Sequence, residues 1–166
     1  MPRLIQIALP VAVLASFASA GPVHSATATG TMNVRVTIQA ECTVVSAADL
    51  DFGTQGVLSA DIDQTTTINV QCTDGTPYNV GLNAGTGAGA SVTTRYMTGP
   101  GSAVVAYGLY RDAAHALVWG DTVSSDTVGG TGNGSSQALT VYGNVPPQTT
   151  PAAGAYADLV TITITY

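Results

Sequence analysis

Chemistry in this chain would have to come from Cys42 and Cys72, from His115 with Asp112 before it, or from the pairs Asp49/Asp51 and Asp61/Asp63. A histidine oriented by a carboxylate can activate a serine nucleophile. Asp112 and His115 fall in a turn between two expected strands, and no serine is tied to them by any pattern, so an exposed turn histidine is expected. His24 lies in or beside a leader segment. Two carboxylates flanking a sugar could hydrolyse a glycosidic bond, but these aspartates sit in polar, turn-like stretches where carboxylates are solvated. Asp61-x-Asp63 lacks the further oxygen ligands and the glycine of a calcium loop. Gly85-Thr-Gly87-Ala-Gly89 and Gly130-Thr-Gly132-Asn-Gly134 do not satisfy G-x-G-x-x-G, and neither leads into a helix that could hold phosphate. Asn133-Gly134-Ser135 fits a glycosylation acceptor, a pattern frequent by chance. No catalytic, cofactor-binding or metal site is expected.

The cysteines depend on the compartment. Arg3 supplies a positive start, Leu4 to Phe17 an apolar run of 14 residues, and Ala18-Ser19-Ala20 a small-residue cleavage site. Residues 1–20 therefore read as a secretory signal, with a second cleavage point as late as residue 28. The run is short for a membrane span and contains Pro10; no other apolar run is long enough to cross a membrane. In an oxidising compartment an even cysteine count favours a disulfide between Cys42 and Cys72. Closing that loop would contribute about 3–4 kcal/mol. A metal or redox pair is the rival, without C-x-x-C spacing or a nearby histidine to support it.

Charge narrows the partners further. The chain has no lysine, and only Arg35, Arg95 and Arg111 follow the leader, against ten acids. Such a surface repels phosphate backbones, so no nucleic-acid partner is expected. Hydrophobic residues make up 45% of the chain, enough for a core despite only 8% charged residues.

The elements that must position these residues read as strands. Ile68, Val70 and Cys72 share a face, followed by an Asp74-Gly75-Thr76-Pro77 turn and by Tyr78, Val80 and Leu82. Val105, Tyr107, Leu109 and Arg111 alternate in a central strand; Leu139, Val141 and Gly143 oppose Thr140 and Tyr142. Shorter strands are expected at Cys42–Val45, Leu50–Gly53 and Leu117–Trp119, with loops over 85–90 and 129–136. Both ends alternate strictly: Met32, Val34, Val36 and Ile38 near the start, and Tyr156, Asp158, Val160, Ile162, Ile164 and Tyr166 at the end. Period two gives each one apolar face. Seven to nine short strands in about 140 residues indicate one all-β domain, an immunoglobulin-like β-sandwich. Tyr78, Tyr107, Tyr110, Trp119, Tyr142 and Tyr156 could form a sugar platform, but alternation places most of them in strands, where packing is the expected role.

Several residues in succession carry a family pattern. They are Thr29-Gly30 with the first alternating strand, Cys42, Phe52-Gly53, Ile68-x-Val70-x-Cys72, Arg95-x-Met97, Tyr107-x-Leu109-Tyr110-Arg111-Asp112, Trp119-Gly120, Val141-Tyr142-Gly143 and the ending from Gly154 to Tyr166. Their order over the whole mature chain resembles the spore coat protein U domain family, the subunit type of archaic (Csu-type) chaperone–usher pili. The resemblance implies an incomplete pilin-type sandwich, residues 40–166, completed by a donor strand, residues 29–39, of a neighbouring subunit. Met32, Val34, Val36 and Ile38 would be the plugs. The C-terminal strand, with Tyr156, Val160, Ile162, Ile164 and Tyr166, would edge the groove they fill. The implied partners are neighbouring pilin subunits in a homopolymer or hetero-fibre, a periplasmic chaperone and an outer-membrane usher. The implied destination is the cell surface, in a fimbrium or coat. The competing expectation is a monomeric exported carbohydrate-binding module.

Overall fold

The structure is a computed structural model that describes residues 21–166. The expected signal, residues 1–20, lies outside the described residues. The chain divides into two units, one ending at Val36 and one spanning Thr37–Tyr166. In the first, residues 21–36 are exposed throughout and hold no regular secondary structure.

The second unit is all-β. Its strands are β1 (Cys42–Ala47), β2 (Ile62–Cys72), β3 (Pro77–Leu82), β4 (Arg95–Thr98), β5 (Val104–Tyr110), β6 (Val128–Thr131), β7 (Ser136–Val145) and β8 (Ile162–Thr165). They form two antiparallel sheets, ordered β1-β2-β7-β5-β4 and β6-β3-β8. The long β2–β7 ladder runs from Ile62 opposite Val145 to Gln71 opposite Ser136. It aligns Ile68 and Val70 of β2 with Val141 and Val145 of β7 on the same inward face of the sheet. Tyr78, Val80 and Leu82 of β3 and Val105, Tyr107 and Leu109 of β5 complete the core around Trp119. The alternation that marks these segments in sequence is thus the alternation that buries them.

Four segments depart from expectation. Leu50–Gly53 is not a strand: Asp51 Oδ1 accepts a 2.8 Å hydrogen bond from the Gly53 amide, turning the backbone through a positive φ of 71°. Leu117–Trp119 makes only an isolated bridge, Tyr110 to Val118, because Gly120 ends the pairing at once. Residues 129–136, expected as loop, begin in strand β6. Gly130 lies under the Tyr78 ring, where any Cβ would strike it, so composition that resembles a loop serves close packing. The fourth is the C-terminal segment, whose pairing changes sheets. Ala157 bonds Thr98 of β4 in the first sheet, and Ile162–Thr165 pair with β3 in the second.

A fully buried Arg95 ties the sheets together. From β4 its Nη2 donates to the carbonyls of Leu82 and Trp119, at 2.9 and 2.8 Å. Its Nε and Nη1 donate to Asn83 and Val92, both at 2.8 Å. Burial pulls the guanidinium below the usual arginine range, and the field of Tyr107, Asp158, Asp121 and Asp126 opposes that shift. Trp119 Nε1 donates 2.8 Å to the Val80 carbonyl, so this large core ring leaves no polar atom unpaired.

Candidate functional site: an open groove and an exposed arm

Among the described residues, a concavity lies where the two sheets part. β1 and β8 are edge strands of different sheets that lie beside one another without sharing a ladder. Two adjoining cavities, of about 570 and 780 Å³, open there and share Leu50, Asp51, Phe52, Met97 and Tyr156 in their walls. The floor of the first is core: Ile68, Leu82, Tyr107, Leu109 and Val141. One wall is the stretch from Ala47 to Phe52, the other the stretch from Tyr156 to Ile162. Leu50 and Phe52 face inward, half-buried, alternating with exposed Asp49 and Asp51. Phe52 meets Tyr107 edge-to-face, with centroids 6.4 Å apart.

On the C-terminal wall, Tyr156, Asp158, Val160, Ile162 and Ile164 are half-buried, while Ala157, Leu159, Thr161 and Thr163 are exposed. Every apolar residue on this inward face stays only partly covered. Tyr166, expected on the same face, is 59% exposed and lies just past the ladder.

Asp158 pins that wall. Its Oδ2 accepts 2.7 Å from the Tyr107 hydroxyl, and its Oδ1 accepts from the Thr86 amide and hydroxyl at 2.7 and 2.8 Å. Burial alone would raise this carboxyl, but the donated bonds from Thr86 and Tyr107 outweigh it and hold the group below the usual range. Burial, and then the bond to Asp158, push the Tyr107 phenol upward. Gly85, at φ 80°, lets the loop close over the carboxylate; a side chain there would collide with it. Neither Arg95 nor Asp158 has a role readable from alternation alone, since a charge in a strand is ordinarily assigned to the solvent face.

The plug residues of the N-terminal arm show the opposite state. Met32, Val34, Val36 and Ile38 are 73–86% exposed and lie in no strand. The root of the arm is held: Thr73 Oγ1 donates to the Gln39 carbonyl at 3.0 Å and accepts from the Glu41 amide at 3.1 Å. Beside it Cys42 and Cys72 form a disulfide within the β1–β2 ladder.

The other candidate groups are structural in their contacts. Asp112 accepts from the Leu117 and Ala116 amides at 2.8 and 3.3 Å, capping its turn, which with the nearby His115 lowers its carboxyl. His115 stands 3.7 Å from Asp63 instead, and against the Tyr110 ring. Asp61 and Asp63 both accept from the Asn144 amide nitrogen, at 3.1 and 2.7 Å. Among the described residues, no three histidines, cysteines or acids gather as a metal site. No helix among them is long and apolar enough to cross a membrane. Tyr78, Tyr107 and Trp119 are buried, so they belong to the core and not to a surface platform.

Residues 28–163 match the Spore Coat Protein U domain. The chain belongs to that family. It is 32% identical over 170 residues to Protein U of Myxococcus xanthus, covering 94% of each sequence. In fold it is similar to a chain of the CsuC–CsuE chaperone–tip adhesion subunit pre-assembly complex, from the archaic chaperone–usher Csu pili of Acinetobacter baumannii. That likeness has a TM-score of 0.59 at 20% identity, covering 78% of this chain and 41% of that one. The present chain thus spans under half of that structure's chain. What the two share is the all-β fold of two packed antiparallel sheets.

Proposed function

We propose that this chain is an exported structural subunit that polymerises by donating residues 29–39 to the groove of a neighbouring subunit. Residues 1–20 act as the signal and residues 40–166 as the body that receives the donated strand. One observation carries the reading. An apolar groove lies open between two unpaired strand edges, while the same chain bears an exposed segment with apolar residues at every second position. Strand addition uses this pair of features, with ladder hydrogen bonds for affinity and alternating pockets for specificity. Each buried plug contributes about 1.5–3 kcal/mol, and the unpaired edges gain partners.

Val160, Ile162 and Ile164, with Tyr156 at the mouth, form the wall against which Met32, Val34, Val36 and Ile38 seat; Tyr166 ends that wall. A groove left open keeps the inward Val160, Ile162 and Ile164 only partly covered, so a periplasmic chaperone covers it before an outer-membrane usher exchanges subunits. The product is a surface fimbrium or coat. Deleting residues 29–38 tests this: the deleted subunit should fold and still bind its chaperone, yet add nothing to the next subunit. Normal fibres from that deletion would overturn the proposal.

A further inference from the structure

The chain's charges are divided in a way that polymerisation through apolar plugs alone does not use. All ten acids lie at or beyond Glu41, and the arm before them holds none. Of the three arginines after the leader, Arg95 is sealed in the core and Arg111 is half-buried, with Nη1 donating to the Thr127 carbonyl. Arg35 alone is fully exposed, and it stands between two plugs, Val34 and Val36.

Strand geometry then fixes where Arg35 must point. With Val34 and Val36 seated in a groove, the residue between them faces outward, between the outward residues of the two walls. On the C-terminal wall those residues are Ala157, Leu159, Thr161 and Thr163, all uncharged. On the other wall they are Asp49 and Asp51, exposed on either side of inward Leu50. Asp51 Oδ1 already holds the Gly53 amide. Asp49 is engaged in no hydrogen bond among the described residues, so it is the freer partner. Opposite charges brought together across the groove edge attract.

We infer that the groove's occupant is residues 29–39 of a second copy of this chain, with Arg35 set against Asp49 and Asp51 so that charge selects both partner and register. This rests on the donor-arm reading and adds to it that the chain recognises itself. A shift of the arm by two residues would keep every apolar residue inward but carry Arg35 away from the acidic lip. The plugs alone therefore permit several registers, and the ion pair distinguishes one. Like-charge contact also disfavours an acidic arm from a different subunit.

The test measures the growth rate of SDS-resistant multimers from the purified mature chain, without residues 1–20, at low and high salt. Arg35→Glu should slow assembly on the order of tenfold at low salt, and the difference should shrink towards none near 1 M salt, where screening is nearly complete. Pairing Arg35→Glu with Asp49→Arg should restore the rate. Val34→Asp in parallel tests the underlying reading. If Val34→Asp abolishes multimers while Arg35→Glu assembles at the wild-type rate, the arm is right and the charge selection is wrong. Should Val34→Asp itself assemble normally, the donor-arm reading falls with it. Failure of the charge-swapped pair, with Arg35→Glu slow at every salt concentration, also overturns the ion pair.

Discussion

The two ends of this chain share one sequence pattern and reach opposite structural states. From Met32 to Ile38 every second residue is apolar, and each of these lies exposed outside any strand. From Tyr156 to Ile164 the same period appears, its inward residues are half-buried, and its backbone is hydrogen-bonded to both sheets. The difference is made by polar anchors. Asp158 fastens the C-terminal segment to Tyr107 and Thr86, and Thr161 donates its amide to the Asn83 side chain at 2.8 Å. Between Met32 and Ile38 the only ionisable side chain is Arg35. Period two therefore specifies a face to bury, and anchoring groups specify whether the burial happens within the chain.

The strongest way to break this comparison is to remove what holds the C-terminal wall's surroundings together. Arg95→Met would leave four carbonyls, two of them buried, without their donor and should cost about 3–5 kcal/mol, measured by denaturant unfolding. Little folded subunit should remain. Replacing both Cys42 and Cys72 by serine should cost about 2–5 kcal/mol, read in the same experiment against the oxidised wild type.

Smaller changes sharpen the contrast. Asp158→Asn should lower stability by about 1–3 kcal/mol, since it weakens bonds to a charged acceptor. The sign with pH follows from the depressed carboxyl. Its stabilising contribution is complete above the ordinary aspartate range near pH ~4, and is lost as pH falls through the lower folded value. A plot of stability against pH should thus be flatter at its acid end in Asp158→Asn than in wild type. Tyr107→Phe, which removes one hydroxyl from the same carboxylate, should cost about 1 kcal/mol. At the N-terminal end, Val34→Asp should leave unfolding of the isolated subunit unchanged within about 0.5 kcal/mol while stopping assembly. Trypsin gives a further contrast: Arg35 is the exposed site after the leader, so it should be cut quickly in monomers and survive in multimers.

Much of the body was legible in sequence because its buried strands alternate without interruption. Ile68–Cys72, Tyr78–Leu82, Val105–Leu109 and Leu139–Val141 are all strand where the apolar pattern places them. The pairing of Cys42 with Cys72 followed from the count of cysteines and the export signal. What stayed hidden depends on contacts distant in sequence. Gly130 reads as loop until Tyr78 is seen lying over it. Nothing in the pattern marks Arg95 as buried until carbonyls of Leu82, Asn83, Val92 and Trp119 converge on it. The C-terminal segment reads as one strand because its faces alternate throughout, and alternation is blind to a change of sheet. The groove itself was accessible only through family resemblance, since the absence of a strand leaves no mark in a hydrophobic pattern.

The central claim is that the arm fills the groove of another copy. It is tested most directly by mixing two variants, one with Val36→Cys in the arm and one with Val160→Cys or Ile162→Cys in the wall. Oxidation of the mixture, followed by mass spectrometry, should find disulfides joining arm of one chain to wall of the other. Chains carrying both substitutions, oxidised at high dilution, should give few internal cross-links. Efficient internal cross-linking, with none between chains at assembly concentrations, would contradict the account.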